Sequence, residues 1–192
     1  MQKTAILILA AGSSSRMGTI KQILPFKNTT LLGWSLKIAE QSKANDIFCI
    51  LGANKNVVEK SIQANGVHFI TNTNYKNGLS SSIIAGILHI EKKYDSALIM
   101  LADQPNISSP YLDQLMKIAQ ENPEKIVASN YNEKAGVPVI FPKKYFNDLK
   151  MLEGDNGAKI FLQKNTSKII KMPSTNLIDI DTIKDYKKLT DS

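Results

Sequence analysis

Two cations, Arg16 and Lys21, stand close together after an unusually small-residued stretch: residues 7–21 read Leu-Ile-Leu-Ala-Ala-Gly-Ser-Ser-Ser-Arg-Met-Gly-Thr-Ile-Lys. Small residues let a backbone approach a ligand closely. Successive N–H groups in a tight turn make a concave anion site. Two cations on flexible stems add charge that can move onto phosphate oxygens. The stretch reads as a cradle for a nucleotide triphosphate. Leu9, Ala10, Ala11, Gly12, Ser13 and Gly18 would let the ligand in, and Arg16 and Lys21 would balance its charge.

Two other phosphate loops are excluded by spacing. A P-loop needs Gly, four residues, then Gly-Lys-Ser/Thr. Here Gly12 is followed by Gly18, and Thr19 stands where the lysine should be. The dinucleotide fingerprint G-x-G-x-x-G fails because Ser14 replaces its second glycine.

Acidic chemistry has one strong candidate. Asp103 follows the apolar run Ala97–Leu101, in Ala102-Asp103-Gln104-Pro105. A carboxylate at a strand's carboxyl end can hold Mg²⁺, which takes one or two carboxylates plus phosphate oxygens. The competing reading is a turn-forming aspartate before Gln-Pro. A second ligand would come from Asp179-Ile180-Asp181-Thr182. There, period two puts Asp179 and Asp181 on one face of a strand, with Asp179 as ligand, Asp181 as helix N-cap and Asn176 as a less favoured ligand. Asn77-Gly78-Leu79-Ser80-Ser81-Ser82 opens a helix, and by itself reads as an N-cap with solvated serines. His68 and His89 lie in apolar contexts without a partner at metal spacing, which makes them structural. No Ser-His-Asp or Cys-His arrangement is evident.

The elements that must position these groups alternate. Thr4–Ala10 is a continuous apolar run suited to a buried parallel strand. Asn28-Thr29-Thr30 offers caps for a helix through Ala39, with Trp34 in the core. Ile47–Leu51 and Val67–Ile70 read as strands around a helix marked by Val57, Val58 and Ile62 that ends near Asn65-Gly66. After the strand Ala97–Leu101, Ser108-Ser109-Pro110 starts a helix that turns Leu112, Leu115, Met116 and Ala119 inward. Ile126–Ala128 and Val137–Phe141 read as strands separated by a turn-like 130–136. Pro142 opens a short helix through Leu149, and Glu153–Gly157 is a tight loop before a helix over 158–162. Ile169–Met172 and Leu177–Ile180 read as final strands before a helix over 183–189. Strands alternating with helices predict an α/β fold. It is a three-layer α/β/α sandwich with a Rossmann-like, mostly parallel sheet that binds ligands at its strand carboxyl ends.

Bulk composition agrees with one domain over residues 1–192. The chain is 43% hydrophobic and 21% charged, with one cysteine, Cys49, in the apolar run Ile47–Leu51. That thiol is expected to be buried and inert. The apolar run near the start flows into the phosphate loop and reads as a strand rather than a signal peptide. No apolar run is long enough to span a bilayer, so a cytoplasmic address is expected. Net charge is +7 with pI about 9.4. The lysines are scattered rather than gathered in a basic stripe with aromatics, so no nucleic-acid partner is expected.

The segment 9–18 with Lys21-Gln22 closely resembles the signature of the sugar-nucleotide and cofactor nucleotidyltransferases, the MobA-like NTP transferases. Within them it is most similar to the molybdenum cofactor cytidylyltransferase branch. The resemblance implies a fold of the nucleotide-diphospho-sugar transferase type. It implies transfer of a CMP group from CTP to a phosphorylated acceptor, with Mg²⁺ on Asp103 and pyrophosphate released. Asp-Gln-Pro at 103–105 resembles the branch's metal motif, and the Asp-Ile-Asp-Thr at 179–182 the family's closing segment. The family's Gly-x-x-x-Ser segment implies base and ribose contacts from Asn77, Gly78, Ser80, Ser81 and Ser82. Gly136-Val137-Pro138 and the run Gly154–Lys159 are similar to segments placed around the acceptor, although Val137 stands where many relatives have a histidine. Molybdopterin in its metal-bound form is the acceptor implied, with delivery to a molybdoenzyme or its chaperone. GTP on the same cofactor, a sugar or polyol phosphate acceptor, and a nucleotide-binding module without turnover are the alternatives. Ala10-Ala11-Gly12 rather than Ala-Gly-Gly favours CTP.

Overall fold

A computed structural model describes residues 2–14, 17–131, 133–173 and 177–190. Arg16 and Asn176 fall outside the described residues. The chain opens with β1 (Thr4–Ala10), then the two-residue ribbon β2 (Pro25–Phe26) and β3 (Thr29–Thr30), then α1 (Leu31–Glu40). Next come β4 (Asp46–Leu51), α2 (Lys55–Lys60), β5 (Val67–Thr71), α3 (Leu79–Ile90) and β6 (Ser96–Leu101). The second half holds α4 (Ser109–Glu121), β7 (Ile126–Tyr131), β8 (Lys134–Pro142), α5 (Phe146–Lys150), α6 (Lys159–Lys164), β9 (Ile169–Pro173) and α7 (Ile183–Thr190).

Seven strands form one sheet in the order β5-β4-β1-β6-β8-β7-β9, parallel except for β8, which runs antiparallel to β6 and β7. Alternation along the strands divides the core into two layers. Ile6, Ile8 and Ala10 of β1 face Leu36 of α1, Val58 of α2 and Leu115 of α4. Ala5, Leu7 and Leu9 face Ile83 and Ile87 of α3, with Leu149 of α5 and Leu162 of α6. β1 is covered on both sides, so all seven of its residues are buried and its sequence shows no polar alternation. The architecture is the expected three-layer α/β/α sandwich.

β1 pairs with β4 on one side and β6 on the other, with Leu9 opposite Leu101. The chain winds outward from β1 to β4 and β5, then returns to place β6 on the far side. This reversal opens a crevice beyond the carboxyl ends of β1 and β6, the position where such sheets bind ligands. The small-residue loop leaves β1 there, and Asp103 lies two residues past β6.

Several local expectations are corrected. Residues 177–180 are not a strand; the segment threads past the end of β6, where the Ile180 N–H donates to the Asp103 carbonyl at 3.0 Å. Ile180 is buried with Met17, Phe26 and Leu31, so its anchor is a small apolar cluster rather than a sheet edge. The stretch 130–136 is largely extended, because β7 runs on to Tyr131 and β8 starts at Lys134, just after Glu133 at φ 71°. α2 ends at Lys60, where the Ser61 hydroxyl donates back to the Val58 carbonyl; the helix therefore stops short of Asn65-Gly66. Pro142 ends β8 and, as expected, opens the short helix: a 3-10 turn over Lys143–Tyr145 runs directly into α5. Trp34 is half-buried, its indole N–H donating to the Pro105 carbonyl at 3.0 Å. Ser35 donates to the Ala102 carbonyl at 3.2 Å, so α1 braces both sides of Asp103.

Candidate active site

Gln22, which is buried, holds the loop after β1. Its side-chain amide donates to the carbonyls of Ala10 at 2.9 Å and Gly12 at 2.8 Å, and its oxygen accepts from the Ser14 hydroxyl. The Ser14 hydroxyl accepts in turn from the Lys21 N–H at 3.1 Å. The loop is thus closed on itself from within, leaving its outer backbone to the crevice. A cleft of about 670 Å³ opens there, lined by Ala10, Gly12, Ser13, Lys21, Asp103 and Asp181 among others. Gly12 has no left-handed φ, and a Cβ at this position would meet no atom of the described residues within 4 Å beyond its chain neighbours. Its lack of a side chain keeps clear the space in front of the loop.

Lys21 reaches across this cleft. Its ammonium lies 2.5 Å from Asp103 Oδ2, 2.9 Å from the Ile180 carbonyl and 3.8 Å from Asp181 Oδ1. The other Asp103 oxygen, Oδ1, is buried without a hydrogen-bond partner among the described residues. Asp181 lines the cleft, and the helix α7 is capped by Thr182, whose hydroxyl accepts from the Asp185 N–H while the Asp185 carboxylate accepts from Thr182. The expected N-cap role of Asp181 is therefore taken by Thr182. Asp181 is left facing Lys21 because residues 177–181 do not follow strand geometry.

Asp179 points elsewhere. Its Oδ1 accepts from Gln104 Nε2 at 2.8 Å, and the same nitrogen donates to the Tyr131 hydroxyl at 2.5 Å and the Val137 carbonyl at 3.3 Å. Gln104 thus joins the strand-end turn, the closing segment and the hairpin carrying Gly136-Val137-Pro138. Gly136 lies under the Tyr131 ring, where a Cβ would come within 2.8 Å of a ring carbon. Burial holds the Asp179 carboxyl above the usual carboxylate range. The Gln104 hydrogen bond opposes this shift, and the Asp103 and Asp181 charges add to it. Burial also pushes the Tyr131 phenol up, helped by Asp179.

The serine-rich start of α3 divides between two hollows. Gly78 and Ser82 line the cleft, whereas Asn77, Ser80 and Ser81 line a neighbouring hollow of about 380 Å³. The serines are buried, not solvated. Their organiser is Asn72, whose amide donates to the Ser81 hydroxyl at 2.8 Å and the Ser82 hydroxyl at 3.0 Å. Nothing in the local sequence pattern singled out Asn72, since its role arises only when β5 and α3 pack together. Gly78 abuts Gly154 and Asp155, and Ser80 N–H donates to the Gly154 carbonyl at 3.2 Å. The Gly154–Gly157 loop is thereby fastened to the helix start, and Asp155 lines the cleft.

The donor set suits a hard divalent ion held partly by substrate. Among the described residues no three His, Cys, Asp or Glu side chains gather closely enough to hold a metal by themselves. Mg²⁺ needs fewer, because it takes one or two carboxylates and completes its shell with phosphate oxygens and water. The unpartnered Oδ1 of Asp103 is such a donor. A larger concavity of about 830 Å³ lies at the opposite, amino-terminal end of the strands, lined by Lys3, Phe48, His68 and His89. There the two histidine rings rest on Phe48, with centroids 5.0 and 5.3 Å away, far from the loop after β1. Cys49 is buried, and burial pushes its thiol up, as expected of an inert group.

Residues 6–169 match the model of the MobA-like NTP transferase domain. The chain belongs to that family. The matched range takes in the loop after β1, Asp103, the serine segment at the start of α3 and the loop Gly154–Gly157. Among individual relatives, the purine catabolism protein PucB of Bacillus subtilis is 29% identical, over 94% of this chain and 92% of its own. The molybdenum cofactor cytidylyltransferase of Escherichia coli is 28% identical, over 71% of this chain and 69% of its own. Among solved structures, Rv0371c of Mycobacterium tuberculosis aligns with a TM-score of 0.87 at 25% identity, over 100% of this chain and 99% of that one. The same protein complexed with manganese aligns with a TM-score of 0.83 at 23% identity, over 100% of each chain. As a MobA-like NTP transferase the protein is a nucleotidyltransferase, and its layered sheet is that of the nucleotide-diphospho-sugar transferases. No helix among the described residues is long and apolar enough to cross a membrane.

Proposed function

We propose that this single-domain protein transfers a CMP group from CTP to a phosphorylated acceptor, releasing pyrophosphate, with Mg²⁺ as its metal. The observation that carries this reading is the meeting of Lys21 and Asp103, 82 residues apart, at the cleft in front of Gly12. A triphosphate lying along the open face of Gly12 and Ser13 would receive backbone N–H groups from the loop. Lys21, and Arg16 from the same loop, would stabilise charge developing on the α-phosphate and on the departing pyrophosphate. Asp103 Oδ1, with Asp181 or Asp179 from the closing segment, would hold Mg²⁺, which when bound lowers the repulsion between phosphates. Gly78 and Ser82 would meet the nucleoside side of the donor, and Asp155 and the Val137 hairpin the acceptor.

In the reaction an acceptor phosphate oxygen forms a bond to the α-phosphorus. The bond from that phosphorus to the bridging oxygen breaks, and pyrophosphate leaves with the electron pair. An acceptor phosphate is already ionised, so no general base is needed, and catalysis rests on positioning and electrostatics. The branch resemblance favours CTP over GTP, since the loop reads Ala10-Ala11-Gly12 where the guanylyl branch usually has Ala-Gly-Gly. Molybdopterin is the acceptor that the branch resemblance and the cytidylyltransferase relative support. That a mycobacterial structure of the same fold is a complex with manganese is in keeping with a divalent metal.

A thermal-shift series with CTP, GTP, ATP and UTP, each with Mg²⁺, tests the donor, since selective binding raises the melting point by mass action. Pyrophosphate release with each nucleotide and acceptor pair then tests the reaction. Selective stabilisation by GTP would replace CTP in this reading, and absence of pyrophosphate with every acceptor would reduce it to a nucleotide-binding module.

A further inference from the structure

Three oxygens surround the Lys21 ammonium: Asp103 Oδ2 at 2.5 Å, the Ile180 carbonyl at 2.9 Å and Asp181 Oδ1 at 3.8 Å. Two carboxylates and a carbonyl converging on one point are the donors that a hard cation selects. We propose that the Lys21 ammonium is the resident cation of this seat. It blocks a free divalent ion from Asp103 and Asp181, and it is released to the phosphates only when metal and nucleotide arrive together. The proposal rests on the nucleotidyl-transfer reading above and adds to it an order of binding.

The physical argument has three parts. A divalent ion on Asp103 Oδ1 and an ammonium on Oδ2 of the same carboxylate repel each other at short range, so each weakens the other's hold on it. A free ion offers Lys21 no new partner and must expel it into the cleft unpaired. A metal-bound triphosphate brings several negative charges to the same cleft, giving the displaced ammonium oxygens to bind. Metal and nucleotide are therefore coupled, each raising the affinity for the other by the same factor. The closing segment takes part as well. Ile180 is tied to the end of β6 both by its N–H, on the Asp103 carbonyl at 3.0 Å, and by its own carbonyl, on Lys21. Release of Lys21 removes the second tie and leaves the first.

A salt bridge with only a structural role makes the opposite forecast. Its loss would weaken the fold and would not improve metal binding. The decisive experiment titrates Mn²⁺ alone, without nucleotide, into the wild-type protein, Lys21→Met and Lys21→Arg, with free Mn²⁺ read by electron paramagnetic resonance. Lys21→Met is expected to bind Mn²⁺ tighter than the wild type by a factor within the usual coupling range of ~5–150-fold. Lys21→Arg, which keeps the cation, is expected to bind as weakly as the wild type. Equal or weaker binding by Lys21→Met overturns the proposal. Should Lys21→Met fail to fold by circular dichroism, the wild type carries the test through acetic anhydride labelling read by peptide mass spectrometry. Saturating Mn²⁺ should then speed modification of Lys21 relative to exposed Lys60, and unchanged labelling overturns the proposal. Failure of the nucleotidyl-transfer reading would appear separately, as no stabilisation by any nucleotide with metal, and would leave the Mn²⁺-only comparison standing.

Discussion

Gly78 and Gly154 are pressed so close that a methyl group on Gly78 would sit 2.5 Å from the Gly154 carbonyl carbon and 2.6 Å from Asp155 Oδ1. Gly78 also holds φ 92°, ψ −178°, a conformation that side chains scarcely adopt. Gly78→Ala should therefore combine backbone strain with overpacking and cost roughly 2–5 kcal/mol in urea denaturation. Gly154→Ala is the comparison. It keeps a left-handed φ of 70° but has nothing within 4 Å among the described residues, so it should cost only about 1–2 kcal/mol. Equal costs would mean that the contact between the loop and α3 carries no energy.

Much of this site could be read before folding because its parts are local. The run from Leu7 to Lys21 carries its own chemistry, and the apolar strand before Asp103 fixes the end of the sheet on which that carboxylate sits. What could not be read is long-range. Gln104 has partners in three separate segments, and the hold of Asn72 on the serines depends on β5 meeting α3. The closing segment misled for a related reason. Its alternation of Asp and Ile fits a strand, but burial of Ile180 beside Phe26 and Leu31 draws the chain across the end of β6. The roles assigned by period two to Asp179 and Asp181 depended on that strand, and in the fold it is Asp181 that faces the cleft.

Lys21→Ala should lower the rate of pyrophosphate release by roughly 10²–10³-fold, the loss expected when one preorganised donor to a developing oxyanion is removed. The fold should change little, because the ammonium is partly solvent-exposed and β1, β4 and β6 do not depend on it. Steady-state kinetics beside urea denaturation separates the two effects. Full-rate turnover by the variant would remove Lys21 from the chemistry.

Asp179 gives a pH signature. Its carboxyl is held above its unfolded value by burial, against the Gln104 hydrogen bond, with Asp103 and Asp181 adding to the rise. A raised carboxyl contributes stability that is fully present below the unfolded pKa of about 3.9, and this is lost as pH climbs through the folded value. Asp179→Asn keeps an oxygen for Gln104 and removes the charge. It should melt above the wild type at pH 7, and the gap should close as pH falls towards 4. Melting curves at several pH values check this, and a gap independent of pH would remove Asp179 as its source.

Gly12→Ala discriminates most directly between a ligand cradle and an ordinary turn. Gly12 needs no left-handed φ, and among the described residues its Cβ would meet nothing within 4 Å beyond its chain neighbours, which leaves room for the methyl group. Replacing glycine at a compatible site removes freedom from the unfolded chain, and stability should stay level or rise by about 0.4–1 kcal/mol. The same methyl group would project into the space that the triphosphate requires. Nucleotide affinity should fall by about 1–3 kcal/mol, a factor of about 5–150, in a calorimetric titration with CTP and Mg²⁺. An undiminished affinity in a well-folded Gly12→Ala protein would mean that the polyphosphate lies elsewhere, and the assignment of the loop after β1 would fall with it.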